Sequence, residues 1–185
     1  MNGELDNFVS ELKKISDDAQ KTFGNLSAEQ INWKPSAESW SVGQCFEHLN
    51  VSNEGILSKV EQIVQNKYQK TFWEHLPFLP NFFGGFILKA TNPENTDKRK
   101  APGVFRPARS EVGAKIIEEF AENQKRAISL IKATENLNLA KTIITSPVAK
   151  FVTYSLQDAY KIIVTHERRH FQQAEKVLQT QGFPK

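Results

Sequence analysis

The chain has 185 residues and a formal net charge of +3, with 39% hydrophobic and 24% charged residues. This composition excludes a disordered chain, and the single cysteine, Cys45, excludes both an intrachain disulfide framework and a cysteine-built zinc module. The small net charge argues against nucleic acid as a partner, and the lack of a long apolar run or a signal-peptide core predicts a cytoplasmic protein with no membrane partner.

Two amphipathic helices are predicted in the first part of the chain. Over 4–22, apolar residues recur every three or four positions, as on the buried face of a helix. We interpret the stretch that follows, which contains Pro35, as a loop. The second helix begins at Ser41, which forms a capping-box pattern with Gln44, and continues to about Lys67.

Residues 68–109 differ from the helices on either side, because prolines and glycines interrupt any long periodicity. The segment is also rich in aromatic residues, so we expect short helices and irregular chain that fold over the domain. A connection of this length is typical of a lid or a binding element, and a dimer contact is the alternative. Its aromatic part, 72–88, is a candidate wall for an apolar substrate pocket. The basic run Lys98–Lys100 is interpreted as a solvated loop.

Two more helices are predicted in the second half. The third helix covers 110–134, with Ser110 as its N-cap. The β-branched stretch 137–154 is interpreted as an extended connection, with a short strand pair as the alternative. The fourth helix covers 155–179 and begins at Ser155 in a pattern similar to a capping box.

Four long amphipathic helices favour one fold class. We predict an all-α protein with a single domain over 1–185. The architecture is a four-helix bundle with a long, partly irregular connection between helices 2 and 3.

Two histidines lie on the buried face of the fourth helix. His166 and His170 are four residues apart, so both side chains project from one helix face. They continue an apolar stripe formed by Ala159, Ile163, Ala174 and Val177. A buried imidazole needs partners for its nitrogens, and a metal ion can be one of them; protein partners are the alternative. Glu167, Arg168 and Arg169 are expected to point elsewhere.

His48 lies on the second helix, on the shoulder of its apolar face beside Cys45 and Ser52. With His166 and His170 it would form a three-histidine metal site between helices 2 and 4, since bundles build such sites from facing helices. Three imidazoles with an open fourth position are a catalytic zinc arrangement, closely similar for nickel or iron. The alternative is an ordinary buried histidine.

The other chemistry-bearing residues have simpler interpretations. Cys45 lies one turn from the ligand proposed on its helix, and we interpret it as a buried structural cysteine, with a fourth metal ligand as the alternative. His75 is interpreted as an ordinary loop residue. Trp33 and Trp40 are expected in the core or in a pocket wall, and Glu47 on a solvated face.

Two motifs resemble those of the DinB-like superfamily of metalloenzymes, which includes YfiT-type proteins. Trp40–Leu49 is similar to the helix-2 motif of that family, which ends in His-Leu, and His166–Gln173 is similar to its terminal His-x-x-x-His helix. The resemblance implies a four-helix bundle with a metal held by His48, His166 and His170. It also implies that some members are thiol S-transferases acting with bacillithiol, mycothiol or glutathione, and that others are metal-dependent hydrolases.

We therefore expect a metal-dependent enzyme that is a thiol S-transferase or a hydrolase of small molecules. The cofactor would be a divalent transition metal, with zinc or nickel preferred and iron or manganese as alternatives, and it would lower the pKa of a bound thiol or water. The expected partners are a small-molecule substrate, with a low-molecular-weight thiol as one candidate, and a second copy in a homodimer. The sequence does not identify a general base. The alternative function is a non-catalytic stress-response module that binds a ligand or a partner.

Overall fold

The four helices predicted from apolar periodicity are all present and make up about half of the described residues. The computed structural model describes residues 3–95, 102–107 and 111–185, and the fold is mostly helical, at 63% helix. In chain order the elements are α1 (Gly3–Phe23), α2 (Ala28–Asn32), α3 (Val42–Val64), α4 (Leu79–Thr91), α5 (Ile116–Ala133), β1 (Ile143–Thr145), β2 (Thr153–Ser155) and α6 (Leu156–Leu178). Within the described ranges, no helix is long and apolar enough to cross a membrane.

The long helices α1, α3, α5 and α6 share one hydrophobic core. Helices α1 and α3 each pack against both α5 and α6. Phe46 of α3 lies at the centre, with its ring 5.2 Å from that of Phe23 and 5.0 Å from that of Phe120, both edge-on. All three rings are fully buried or nearly so, and burial of each contributes about 2–3 kcal/mol. Because α3 packs directly on α6, residues on their facing sides can meet.

The predicted capping box fixes the start of α3. Ser41 Oγ accepts from the Gln44 backbone N–H at 3.1 Å, and Gln44 Oε1 accepts from the Ser41 N–H at 3.3 Å, so the prediction is confirmed. The same motif at Ser27 and Gln30 opens the short helix α2, which was predicted to be part of a loop.

The third predicted helix starts later than its sequence pattern indicates. Ser110 lies outside the described residues, residues 111–115 are not helical, and α5 begins at Ile116. Just before α5, the side chain of Asn32 pairs with the backbone of Val112: Val112 N–H donates to Asn32 Oδ1 at 2.7 Å, and Asn32 Nδ2 donates to Val112 O at 3.0 Å. Because these bonds occupy the backbone groups of Val112, they hold this stretch against α2 rather than in a helix.

A small two-stranded antiparallel sheet accompanies the predicted helices. β1 pairs with β2 in the register Ile143–Ser155, Ile144–Tyr154 and Thr145–Thr153. The strand pair considered for 137–154 is therefore present, and its β-branched residues are largely buried. β2 leads directly into α6, where Ser155 Oγ caps the helix by accepting from Asp158 N–H at 3.0 Å.

The connection between α3 and α5 contains α4 and two short 3-10 turns, Phe72–His75 and Gly103–Phe105, which confirms the expectation of short helices and irregular chain. Helix α4 packs on α6 and β2. Helices α4 and α6 approach closely at Gly84, where an added Cβ would lie 2.6 Å from Asp158 Oδ2, so a larger residue would require the Asp158 side chain to shift. The run Lys98–Lys100, predicted to be a solvated loop, lies outside the described residues.

Candidate metal centre

The packing of α3 on α6 brings together the three histidines singled out in the sequence. His48 lies in the second turn of α3, whose start is fixed by the capping box at Ser41. His166 and His170 lie one turn apart on α6, on the side that faces α3. His48 is buried at 2% exposure and His170 at 9%, while His166 is partly exposed.

The three imidazoles face one another at short range. The ring centroid of His48 lies 4.9 Å from that of His166 and 4.5 Å from that of His170, and the latter two are 4.7 Å apart. One nitrogen from each ring can be chosen so that all three lie within 4.8 Å of one another. His48 Nε2 and His166 Nε2 are 3.1 Å apart, close to the roughly 3.3 Å that two ligands about 2.0–2.1 Å from one tetrahedral zinc ion would have.

Outer partners orient two of these rings. His48 Nδ1 lies 2.6 Å from the carbonyl oxygen of Phe105, which can only accept, so Nδ1 carries the proton and Nε2 keeps its lone pair. His170 Nδ1 donates in the same way to Gln173 Oε1 at 2.9 Å. Metal-binding histidines are typically held like this, with the second nitrogen donating to a carbonyl or carboxylate. The donor set therefore fits a divalent transition metal.

Electrostatics also favour neutral rings, which ligation requires. Burial is the main cause that lowers the pKa of His48, opposed by its bond to Phe105. Burial lowers the pKa of His170 to about 3, helped by His48 and Arg169 and opposed by Gln173. The pKa of His166 is well below its usual range because of burial and the neighbouring histidines. At neutral pH the cluster therefore offers lone pairs without prior loss of protons.

Two aromatic side chains line the cluster. Trp40 stacks on His170 with ring centroids 5.5 Å apart and 23° between the planes, and lies 4.9 Å from the ring of His48. The ring of Phe105 meets His48 edge-on at 6.4 Å. Trp40 thus contributes to the wall of the site, as predicted. Sequence reasoning missed Phe105, because its contribution to orienting His48 comes from a backbone carbonyl, which every residue type has.

The aromatic stretch 72–88 makes its ring contacts elsewhere. Phe72 packs on Trp73, Trp73 and Phe83 both pack on Phe151, and these rings are largely at the surface. Among the described residues of the 68–109 connection, Phe105 in the second 3-10 turn contacts His48. The role of 72–88 as a substrate-pocket wall stays a prediction.

The remaining candidates lie outside the histidine group. Cys45 is completely buried in the core, where burial raises the pKa of its thiol, and it is not part of the ligand cluster. His75 is exposed in its 3-10 turn, and Trp33 packs edge-on against Phe183. Glu47 is less solvated than expected, since it is half-buried and its Oε2 has no hydrogen-bond partner within the described part of the chain.

Glu167 is the polar residue that sequence reasoning underestimated. It points away from the histidine face, as predicted, but it is completely buried. Its Oε1 accepts from Asn53 Nδ2 of α3 at 2.7 Å and from Gln124 Nε2 of α5 at 2.6 Å. Burial raises its pKa to about 7, while the two amide donors oppose that shift. The carboxyl group therefore joins three helices beside the histidine cluster.

Comparison with known proteins identifies one match. A family model described as the DinB superfamily matches residues 11–174, a span that includes α2–α5, both strands, most of α1 and α6, and all three histidines. No curated protein and no solved structure matches the chain significantly.

Proposed function

The chain belongs to the DinB superfamily, and from this membership and the three-histidine cluster we propose that it is a metal-dependent enzyme acting on small molecules. The proposed ligands are His48, His166 and His170. The preferred metal is zinc or nickel, with iron or manganese as alternatives, since imidazole nitrogens suit all of them. The observation that carries the proposal is the convergence of three neutral imidazoles from two helices.

The ion would supply Lewis acidity, which lowers the pKa of a thiol or water and yields a nucleophile at neutral pH. The chain itself contributes the orientation of the ligands. The carbonyl of Phe105 and the side chain of Gln173 accept from Nδ1 of His48 and of His170, so Nε2 of each ring keeps the lone pair that a metal would bind. Trp40 supplies an apolar wall on one side, where it excludes water and can contact an apolar part of a substrate.

For the reaction, we propose transfer of a low-molecular-weight thiol to an electrophile, with hydrolysis of a small molecule as the second candidate. Three protein ligands leave a coordination position open, which either reaction requires. In the transfer, the thiol sulfur forms a bond to the electrophilic carbon, the leaving group departs with the electron pair of the broken bond, and the thiol proton goes to solvent.

The proposal also covers the architecture, the oligomeric state and the compartment. We propose that α1, α3, α5 and α6 form a four-helix bundle, that the whole chain 1–185 is one domain, and that it acts as a homodimer. We propose the cytoplasm as its compartment, because low-molecular-weight thiols are kept reduced there and a free cysteine such as Cys45 is stable.

The direct test is metal content followed by thiol conjugation. Protein purified without an affinity tag should carry a stoichiometric transition metal or take up zinc or nickel after chelation. The loaded protein should then accelerate conjugation of bacillithiol, mycothiol or glutathione to monochlorobimane, and a chelator should abolish the acceleration. Substoichiometric metal with no uptake would contradict the metal site. Tight uptake without conjugation by any of these thiols would favour hydrolysis or a non-catalytic binding role.

A further inference from the structure

The sequence His166-Glu167-Arg168-Arg169-His170 has the spacing of the His-Glu-x-x-His motif, in which the glutamate acts as general base beside a zinc ion. The structure gives Glu167 different surroundings. A general base must reach the substrate or a reacting water. Glu167 has no exposed surface, and its Oε1 is occupied by the amides of Asn53 and Gln124.

We infer that Glu167 is a positioning residue, which sets the rotation of α6 through Asn53 and Gln124 and so aims His166 and His170 at His48. The inference rests on the proposed metal site, which it deepens. It assigns Glu167 no proton transfer.

The connectivity explains how the carboxyl group could act on the ligands. Glu167 adjoins His166 in α6, about 100° round the helix, so both side chains turn together with the helix. Asn53 lies on α3, the helix that carries His48, and donates to the carboxyl at 2.7 Å. The hydrogen bond between Asn53 and Glu167 therefore links the two ligand-bearing helices directly. The bond from Gln124 adds α5 as a third point of attachment.

The polar atoms around Glu167 also predict which substitution will be tolerated. Glu167 Oε2 and Gln124 Oε1 are both buried, and neither has a hydrogen-bond partner in the described part of the chain. Glutamine at position 167 would keep the acceptor oxygen that Asn53 and Gln124 use. Its amide nitrogen would replace Oε2 and bring donors into a region that has an acceptor without a partner. Leucine would have a similar size but would remove every hydrogen bond.

The test compares Glu167→Gln and Glu167→Leu with Gln172→Ala, a control at an exposed position of the same helix. Affinity for Zn²⁺ is measured by calorimetric competition with a chelator, and the absorption bands of bound Co²⁺ report ligand geometry. Both are measured at a temperature at which circular dichroism shows the variants fully folded. We expect E167Q and the control to bind within about threefold of wild type with unchanged Co²⁺ bands. E167L should lose about 10–100-fold in affinity, with shifted bands, as is typical of outer-shell partners.

The outcomes separate this inference from the proposed function. If wild type binds neither ion, the metal site itself is wrong. If wild type binds and E167L keeps full affinity and unaltered Co²⁺ bands, Glu167 serves stability alone and the positioning role is overturned. If E167Q loses conjugation activity while its metal binding stays intact, Glu167 takes part in proton transfer, and the positioning role is again overturned. Should E167L fail to fold, Asn53→Leu replaces it, because it removes one donor and leaves the carboxyl group in place.

Discussion

Helix α6 carries polar residues on two faces, and the two faces differ in the partners and the exposure of those residues. On one face, His166 and His170 approach His48, and one nitrogen from each of the three rings lies within 4.8 Å of the others. On the other face, Glu167 Oε1 accepts hydrogen bonds from the side-chain amides of Asn53 on α3 and Gln124 on α5. We call the side of α6 with His166 and His170 the open face, because His166 is partly exposed. We call the side with Glu167 the enclosed face, because Glu167 is completely buried.

This difference shows that burial alone does not identify a binding site. A buried polar group costs free energy unless it has partners, and a protein can supply them itself or leave them to a ligand. For Glu167 the partners are side chains of α3 and α5, so the group stabilises one packing arrangement. For His48 and His170 the outer nitrogens have protein partners, and one nitrogen from each of the three rings lies within 4.8 Å of the others.

The largest expected effect is the loss of Zn²⁺ affinity when a proposed ligand on the open face is removed. His170→Ala deletes one of three proposed ligands, so affinity for Zn²⁺ should fall by more than the about 100-fold that loss of an outer-shell partner can cause. His75→Ala is the matched control, because that histidine is exposed and outside the cluster. Calorimetry on the two variants measures the effect. Equal affinities would remove His170 from the site.

The pH dependence of stability should differ between the faces as well. The pKa of Glu167 is raised from 4.5 to about 7, so the folded state binds its proton more tightly than the unfolded chain does. The stability it contributes is complete below about pH 4.5 and is lost as the pH rises to about 7, a loss of about 3 kcal/mol at 1.36 kcal/mol per pKa unit. The lowered pKa of His170 acts with the opposite sign, because it makes the folded state less stable as the pH falls below 6.5.

Glu167→Gln separates these contributions, since it abolishes one titration and leaves the histidines in place. Free energies of unfolding by urea, in the presence of a chelator, are compared for wild type and E167Q at pH 5 and pH 8. Wild type should lose about 2.5 kcal/mol relative to the variant between these pH values, because part of the full loss has already occurred at pH 5. A difference that does not change with pH would mean that the carboxyl group does not titrate in this window.

The same two faces show what the sequence could predict and where it could not. The spacing of His166 and His170 within an apolar stripe placed them correctly, and the Ser41 capping box placed His48 on a helix that packs against α6. Local patterns were sufficient in both cases. Glu167 precedes Arg168 and Arg169, so its neighbours in sequence resemble a solvated face. Its burial depends on the position of α5, which no local pattern encodes.

Other misses have the same physical origin. The start of α5 depends on hydrogen bonds between Val112 and Asn32, residues 80 positions apart in the chain. The orientation of His48 depends on the backbone carbonyl of Phe105, and every residue type has such a carbonyl, so the sequence does not reveal this contact. Long elements defined by their own periodicity were therefore predictable, and contacts made across the fold were not. The short helix α2 was missed although Ser27 and Gln30 form a capping box, because its five residues are too few to show a periodicity.

A smaller expected effect, on the free energy of unfolding, tests whether the hydrogen bonds to Glu167 stabilise the fold. Gln124→Leu removes one of the two donors to Glu167 Oε1 and leaves a buried acceptor less satisfied, which should cost about 1–3 kcal/mol of unfolding free energy. Ser129→Leu, at an exposed position of the same helix, is the control. Urea unfolding in the presence of a chelator measures both. If both variants are equally stable, the hydrogen bond from Gln124 contributes nothing net.

The smallest expected effect concerns the outer partner of a ligand on the open face. Gln173→Ala removes the acceptor for His170 Nδ1, so the ring is no longer held in one orientation or one tautomer. Affinity for Zn²⁺ should fall about tenfold, at the low end for outer-shell partners, because Trp40 still stacks on the ring and limits its rotation. Gln172→Ala, at the exposed neighbouring position, should leave affinity unchanged. Equal affinities for the two variants would mean that stacking alone orients His170, and the open face would then depend on packing as much as the enclosed face depends on hydrogen bonds.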